Sequence, residues 1–137
     1  MSFEVETQNL DGRVTTLGRA GTYTLVIDRP EKAGGGGLGF NGGELLHLAV
    51  AGCISNDLFR EAQRLGVRLR SVNVKVRGGF AGDPAVSTGI EYDVRVSGDD
   101  ADKLRALVKL VDEIAEIPNS LRRATPVKLV NVELSAR

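Results

Sequence analysis

The stretch from residue 44 to residue 65 most constrains the fold of this chain. It is rich in strong helix formers, and Gly66 follows where a helix C-terminal cap is expected. Its apolar residues point in every direction around the predicted helix axis: Leu45, Leu46, Leu48, Ala49, Val50, Ala51, Ile54, Leu58 and Phe59. A helix that is apolar all round must be covered all round. Since one sheet in a chain of 137 residues covers only one side, we predict a homodimer with its interface along this helix.

Alternating apolar and polar residues predict strands on both sides of this helix. The first thirty residues indicate three short antiparallel strands with turns at Asp11-Gly12 and Ala20-Gly21. Two further strands are predicted around residues 72–76 and 90–96, joined by a long hairpin connection from Gly78 to Pro84. Residues 127–132 predict a last strand.

A second helix is predicted after the cap at Asp99-Asp100, because apolar residues recur at three- and four-residue spacing until Pro118. Asn119-Ser120 is expected to cap a short further turn that ends at Ala124. The predicted order is therefore β-β-β-α-β-β-α-(short α)-β. This order indicates a single α+β domain over residues 1–137.

Glycines crowd the loop that leads into the long helix. Asp28-Arg29-Pro30 ends the third strand, and the seven glycines between residues 34 and 43 predict a flexible connector or mobile lid. Gly34, Gly36 and Gly39 satisfy the phosphate-binding G-x-G-x-x-G pattern, which a run of seven glycines does easily by chance. Nucleotide binding is not favoured, since the preceding strands look antiparallel and no lysine followed by Ser or Thr closes a phosphate loop.

The charge of the chain excludes two classes of partner. Eighteen Lys and Arg balance eighteen Asp and Glu, so no overall field attracts nucleic acid or an anionic membrane. The first residues lack the layout of a signal peptide, and no apolar run approaches a membrane span. A cytoplasmic protein is expected.

Cys53 is the only cysteine, so it acts either as a thiolate nucleophile or as a small core residue. His47 is the only histidine and lies about 240° from Cys53 around the helix, so the two side chains do not share a face. We therefore expect no metal site and no Cys-His dyad, and we interpret His47 as a packed or interfacial residue. Asn56 and Asp57 are interpreted as a solvent-facing or dimer-bonding pair.

Several segments fall in the order and spacing of a known family: Asp28-Arg29-Pro30, Gly39-Phe40-Asn41-Gly42-Gly43-Glu44-Leu45-Leu46, Ala49-Val50-Ala51-Gly52-Cys53, Gly66-Val67, and Ala115-Glu116-Ile117-Pro118 with Thr125-Pro126-Val127. Over nearly the whole chain the sequence resembles the OsmC/Ohr family of hydroperoxide-reducing proteins. The resemblance implies an OsmC-like fold, in which an antiparallel sheet and a long central helix build an intertwined homodimer.

The resemblance also implies thiol peroxidase chemistry without a cofactor. Cys53 matches the cysteine that an organic hydroperoxide oxidises to a sulfenic acid. In the family, a glutamate and an arginine orient and activate the thiolate. Glu44 matches the glutamate, and Arg19 is the best match for the arginine. Arg13 and Arg29 are alternatives to Arg19. A guanidinium stabilises a nearby thiolate and also binds carboxylates.

Helix geometry constrains these implied roles. Glu44 and Cys53 are nine residues apart, so on one straight helix they point about 180° apart and are separated by about 13 Å along the axis. Either the first turn bends back, or the two groups meet across a dimer interface, which fits the buried helix better.

The chain departs from the family at one position, because Ile117 stands where peroxidatic members carry a second, resolving cysteine. Turnover would need an external thiol, an intermolecular disulfide between two Cys53 residues, or some other resolution of the sulfenic acid. Two hypotheses follow: a one-cysteine organic hydroperoxide reductase in oxidative stress defence, acting on small apolar peroxides, and a non-catalytic protein of the same fold that binds an apolar ligand at the dimer interface.

Overall fold

A computed structural model describes residues 1–136 and confirms the α+β class predicted from the sequence. Its elements are β1 (Glu6–Asn9), β2 (Thr16–Ala20), β3 (Tyr23–Ile27), a 3-10 turn (Glu31–Ala33), α1 (Gly42–Leu65), β4 (Leu69–Ala81), β5 (Val86–Gly98), α2 (Ala101–Ile114) and α3 (Glu116–Arg122). The strands form two sheets, one of β1-β2-β3 and one of β4-β5.

Internal contacts divide the chain into two compact units. The first unit contains Met1–Ala51 and Val76–Tyr92, and the second contains Gly52–Lys75 and residues 93–136. The helix α1 and the strands β4 and β5 each contribute residues to both units. The single-domain organisation over residues 1–137 stays a prediction.

In the first unit, β1, β2 and β3 form the predicted antiparallel meander. Glu6 pairs with Arg19 across β1 and β2, and Arg19 pairs with Thr24 across β2 and β3. Both turns contain glycine at positive φ, Gly12 at 66° and Gly21 at 58°, where a residue with a Cβ is disfavoured.

The helix α1 is covered on one side within the chain. Four apolar residues at four-residue spacing are at most 3% exposed: Val50, Ile54, Leu58 and Ala62. Leu48 and Phe59, on the other side, are 48% and 52% exposed. Gly66 ends the helix at a φ of 68°, and Val67 N–H donates to the Ala62 carbonyl at 2.8 Å, which is the predicted glycine cap.

The hairpin of β4 and β5 differs from its prediction. Gly78 and Gly79 lie inside β4, which continues to Ala81, so the predicted connection from Gly78 to Pro84 is wrong. A Cβ at Gly78 would overlap the His47 ring and come within 2.6 Å of the Gly89 carbonyl oxygen. These glycines therefore permit a close approach within the first unit rather than a turn.

The second unit takes its apolar core from α1 and α2. Leu104, Leu107 and Val111 of α2 are at most 8% exposed, at the predicted helical spacing. Each such burial contributes roughly 1.5–3 kcal/mol. The Asp100 carboxylate accepts from Asp102 N–H and Lys103 N–H, at 3.0 and 3.1 Å, which confirms the predicted cap.

Two expectations for the end of the chain are wrong. Pro118 does not interrupt the structure, since it lies in the first turn of α3. Backbone N–H groups there have no hydrogen-bond partner within the helix, so proline costs none. α3 consequently begins at Glu116 and not after Asn119-Ser120. Within the described residues, 127–132 form no strand; this segment is exposed, because no neighbouring strand offers it hydrogen-bond partners.

A membrane span requires a long, predominantly apolar helix. Among the helices of residues 1–136, none meets this requirement.

Candidate functional site

Cys53 is a free, half-buried thiol on α1 in the second unit. Its helical neighbours Val50, Ile54 and Leu58 are at most 2% exposed, so the thiol lies beside the apolar side of the helix. Cys53 is thus partly exposed as a residue and lies next to buried apolar residues of α1.

Asp57 follows Cys53 by one helical turn and is only 5% exposed. Its Oδ1 pairs with the Arg60 guanidinium at 2.9 Å, whereas its Oδ2 is buried without a hydrogen-bond partner among residues 1–136. Burial raises the pKa of Asp57; the charges of Glu116 and Glu61 add to this effect, and Arg60 opposes it. Of the pair interpreted as solvent-facing or dimer-bonding, Asn56 is exposed, whereas Asp57 does not face solvent.

Glu61 occupies the next turn and is equally buried, but it is fully paired. Arg60 Nε lies 3.1 Å from one carboxylate oxygen of Glu61, and Arg64 Nε lies 2.6 Å from the other. These hydrogen bonds lower the pKa of Glu61. The two buried carboxylates of this helix thus differ: Glu61 is held as an anion, and Asp57 keeps one oxygen free.

The burial of Asp57 was not predicted from the sequence, although a signal was present. The four-residue spacing from Cys53 places both residues on one helix face, directly before the buried Leu58. A carboxylate at such a position is buried with the apolar stripe and is rarely left without a role.

Glu44 lies in the first turn of α1 and closes a capping box. Asn41 Oδ1 accepts from Glu44 N–H at 2.9 Å, and Glu44 Oε1 accepts from Asn41 N–H at 3.1 Å. The helix α1 runs from Gly42 to Leu65. An arrangement of Glu44 and Cys53 in one site across a dimer interface stays a prediction.

Arg19 lies exposed on β2, in the first unit. Among residues 1–136, no hydrogen bond or ion pair joins Arg19 to Glu44. Its rival Arg13 lies in the turn after β1, where its N–H donates to the Leu10 carbonyl. The other rival, Arg29, lies in the glycine loop, where its carbonyl accepts from Gly37 N–H. The structure therefore does not select among the three arginines.

His47 is packed within the first unit, as predicted. Its Nδ1–H donates to the Gly43 carbonyl at 2.6 Å, and its ring meets Phe80 edge-on at 6.2 Å between centroids. Its Nε2 is buried without a partner among the described residues. Within residues 1–136, no three His, Cys, Asp or Glu side chains are grouped as a metal site.

Asp28 organises the glycine loop, a role that sequence analysis missed. Its carboxylate accepts four hydrogen bonds: from Thr15 Oγ1 at 2.9 Å, and from the backbone N–H groups of Arg29 at 2.7 Å, Gly36 at 3.0 Å and Leu38 at 3.3 Å. The predicted flexible connector is therefore a folded loop. The sequence signal was the position of Asp28 between the end of a strand and a glycine run. The backbone N–H groups of such a run can donate to a single carboxylate.

We expect Asp28→Asn to lower the melting temperature by several degrees at pH 7 and to flatten the acid side of the stability profile. The hydrogen bonds from Gly36, Arg29, Thr15 and Leu38 lower the pKa of Asp28 from 3.8 to about 2. A pKa below that of the unfolded chain stabilises the fold above pH 3.8, and this contribution disappears as the pH falls through about 2. Thermal unfolding at several pH values measures it.

The matched control for this experiment is Asp11→Asn, which changes an exposed aspartate in a turn. Its stability profile between pH 4 and pH 2 should follow that of the wild type. Parallel profiles for the wild type and Asp28→Asn over this range would contradict the role of Asp28.

An apolar groove of about 420 Å³ lies on one face of the β1-β2-β3 sheet. It is lined by Val5, Thr7, Gly18, Ala20, Tyr23, Thr24, Leu25 and Ile27. Tyr23 is 80% exposed, so this face of the sheet is largely uncovered in the single chain.

Solved structures share this α+β fold over most of the chain. The OsmC-like protein from Mycoplasma pneumoniae matches at a TM-score of 0.75 and 14% identity, covering 89% of this chain and 88% of that one. The organic hydroperoxide resistance protein OsmC from Legionella pneumophila matches at 0.67 and 19%, covering 89% and 90%. An organic hydroperoxide resistance protein from Elizabethkingia anophelis matches at 0.67 and 13%, covering 89% of each chain.

These likenesses define the class as an OsmC-type α+β fold. The sequence profile described as OsmC-like protein matches residues 34–130, which include the glycine loop, all of α1 and the thiol. The chain belongs to the OsmC-like protein family. No curated protein shows significant sequence similarity to it.

Proposed function

We propose that this protein is a one-cysteine, thiol-dependent organic hydroperoxide reductase that acts in oxidative stress defence in the cytoplasm. The observation that carries the proposal is the free, half-buried Cys53 beside the apolar side of α1, in a chain of the OsmC-like family. The names of two structural neighbours, which refer to organic hydroperoxide resistance, support it.

In the proposed reaction, the Cys53 thiolate attacks the terminal oxygen of a hydroperoxide ROOH. A sulfur–oxygen bond forms as the oxygen–oxygen bond breaks, which leaves Cys53 as a sulfenic acid and releases the alcohol ROH after one proton is taken up. The apolar neighbours of Cys53 favour small apolar substituents R over water-soluble peroxides.

Cys53 is the only cysteine, so the same chain cannot close a disulfide over its sulfenic acid. Ile117, the residue at the position of the family's second cysteine, is 37% exposed on α3 and offers no thiol. An external thiol therefore attacks the sulfenic acid, and a second thiol releases Cys53. A reducing compartment supplies such thiols.

The active unit we propose is a homodimer. One side of α1 exposes Leu48, Gly52 and Phe59. Their spacings of four and seven residues return to the same face of a helix. The apolar tail residues Val127, Leu129 and Leu134 are 79–96% exposed. Apolar surface of this extent marks an interaction site.

In such a dimer, Glu44 and Arg19 act on the Cys53 of the partner subunit. Glu44 lies at the N-terminal end of α1, on the side opposite to Cys53, and a second α1 antiparallel to the first would bring the two groups to one site. Arg19 would then stabilise the thiolate, and Glu44 would orient the guanidinium through a bidentate pair.

The test is a stoichiometric pulse of cumene hydroperoxide, followed by trapping with a sulfenic-acid reagent and mass spectrometry. We expect one adduct at Cys53, formed faster than on free cysteine at the same pH, and none in Cys53→Ser. An untouched thiol, or a rate no greater than that of free cysteine, would reject the proposal.

A second candidate function is non-catalytic binding of an apolar small ligand at the dimer interface. The apolar groove on the β1-β2-β3 sheet favours apolar-ligand binding in general, because an uncovered face lined by Val5, Tyr23 and Leu25 suits such a ligand. Thermal stabilisation by an aromatic or lipid ligand that persists in Cys53→Ala, together with an untouched thiol in the wild type, would select this function.

A further inference from the structure

The buried carboxylate of Asp57 is the unexplained polar group of the second unit. It is 95% removed from solvent, yet only its Oδ1 has a partner, the Arg60 guanidinium at 2.9 Å. Oδ2 is buried without a hydrogen bond among the described residues. A buried carboxylate oxygen without a partner is costly, and such costs are characteristic of functional sites.

The same helix turn carries Cys53. Residues four apart lie on one helix face with Cβ atoms about 5–6 Å apart, and helical side chains lean toward the N-terminal end of the helix. The side chain of Asp57 therefore leans toward the turn of Cys53. Arg60, which follows Asp57, holds Oδ1 on the other side.

We propose that Asp57 is the general acid of the reaction, and that its Oδ2 donates a proton to the alkoxide that leaves when Cys53 is oxidised. This inference rests on the proposed hydroperoxide reductase function. It assigns to the chain a catalytic group besides Cys53, Glu44 and Arg19.

The proposed step balances in atoms and charge. The Cys53 thiolate supplies an electron pair to the terminal oxygen of ROOH, and the oxygen–oxygen bond breaks toward the RO oxygen. This oxygen takes the proton of the Asp57 carboxyl group, so the products are Cys53–S–OH, ROH and the Asp57 carboxylate. Water then returns a proton to Asp57.

The surroundings of Asp57 favour a protonated form. Burial raises the pKa of Asp57, and the nearby Glu116 at the start of α3 and Glu61 on α1 add to it, whereas Arg60 opposes them. Glu61 cannot fill the same role, because Arg60 and Arg64 engage both of its oxygens. A neutral acid is also the form that a buried oxygen without a partner favours.

The test compares two oxidants in Asp57→Asn. Cumene hydroperoxide expels an alkoxide, a strong base that needs a proton, whereas peracetic acid expels acetate, a weak base that leaves without one. We expect the rate constant of Cys53 oxidation to fall by roughly 10²-fold with cumene hydroperoxide and to change little with peracetic acid. Asparagine keeps an oxygen for Arg60 and has no proton of sufficient acidity.

The control is Glu113→Gln, the same removal of a carboxylate charge at an exposed position of α2. Its ratio of the two rate constants should equal that of the wild type. Equal losses with both oxidants in Asp57→Asn, or no loss with either, would overturn the role of Asp57 while leaving the reductase function intact. A wild-type thiol that reacts no faster than free cysteine would overturn both.

A measurement on the wild type alone covers the case in which Asp57→Asn fails to fold. The rate with cumene hydroperoxide relative to that with peracetic acid should decline as the pH rises, since Asp57 loses its proton. Burial raises the pKa of Asp57, Arg60 opposes this shift, and Glu116 and Glu61 add to it. A constant ratio would overturn the proposal.

Discussion

Gly35→Ala is expected to unfold the glycine loop and to lower the free energy of unfolding by about 3–5 kcal/mol. A Cβ at Gly35 would overlap the carbonyl group and the Cα atom of Arg29. These are backbone atoms, which cannot turn aside as a flexible side chain does. The loop must therefore open, and the hydrogen bonds from Gly35 N–H to Pro30 O and from Gly37 N–H to Arg29 O are lost.

The consequence reaches Asp28, because Gly36 N–H and Leu38 N–H donate to its carboxylate. Opening the loop leaves this buried group short of donors, which adds to the cost. Since a domain of this size is stable by only about 5–15 kcal/mol, a large fraction of the stability disappears.

Urea unfolding followed by circular dichroism measures the effect. Gly42→Ala is the control, since a Cβ at Gly42, the first residue of α1, meets no atom within 4 Å. Alanine there should be neutral or slightly stabilising. A Gly35→Ala protein as stable as the Gly42→Ala protein would contradict the packing role of this glycine.

The glycine loop illustrates where prediction from sequence stops. The run of glycines predicted a flexible connector, because glycine permits many backbone conformations. The folded loop uses glycine for a different reason, namely that Gly35 and Gly39 have no Cβ where the carbonyl oxygens of Arg29 and Val26 lie. Sequence patterns report the conformational freedom of glycine and cannot report which backbone atoms approach it.

Elements with strong local signals were predicted well. The three N-terminal strands, α1 with its Gly66 cap and α2 with its Asp100 cap follow from alternation, helical spacing and capping residues. Two predictions failed. The glycines in 78–84 predicted a turn, but β4 continues through Gly78 and Gly79. The apolar alternation in 127–132 predicted a strand, but this segment forms none. A strand exists only where a neighbour completes its hydrogen bonds.

The candidate site shows the same division. Cys53, Glu44 and Arg19 were named from a family resemblance, and helix geometry alone separated Glu44 from Cys53. Asp57 was interpreted as solvent-facing or dimer-bonding, because no local sequence pattern indicates which side of an all-round apolar helix is buried within the chain. The capping box of Asn41 and Glu44 also gives Glu44 a structural role within its own chain.

Gly52→Leu is expected to convert the proposed dimer into monomers and to weaken self-association by about 3 kcal/mol, which is ~10²-fold in the dissociation constant. In the single chain, a Cβ at Gly52 meets no atom within 4 Å, and the residue is exposed. A leucine there should therefore strengthen α1 by roughly 0.5–1 kcal/mol, since glycine is a poor helix former.

The opposite sign is expected in the dimer. Gly52 lies between Leu48 and Phe59 on the exposed side of α1. A second α1 would bury these two apolar residues. A glycine at the centre of such a surface lets two helices approach closely, and a leucine holds them apart. The substitution therefore separates the two states: it stabilises an isolated chain and opposes the assembly.

Light scattering over a range of protein concentrations measures the mass, which for the wild type should be twice the 14.6 kDa of one chain. The control is Ala106→Leu, which places a leucine at an exposed position of α2. This variant should have the same mass as the wild type. A wild-type mass of one chain would refute the dimer itself. A Gly52→Leu protein that dimerises as tightly as the wild type would place the interface elsewhere and would remove the reason to expect Glu44 and the partner's Cys53 in one site.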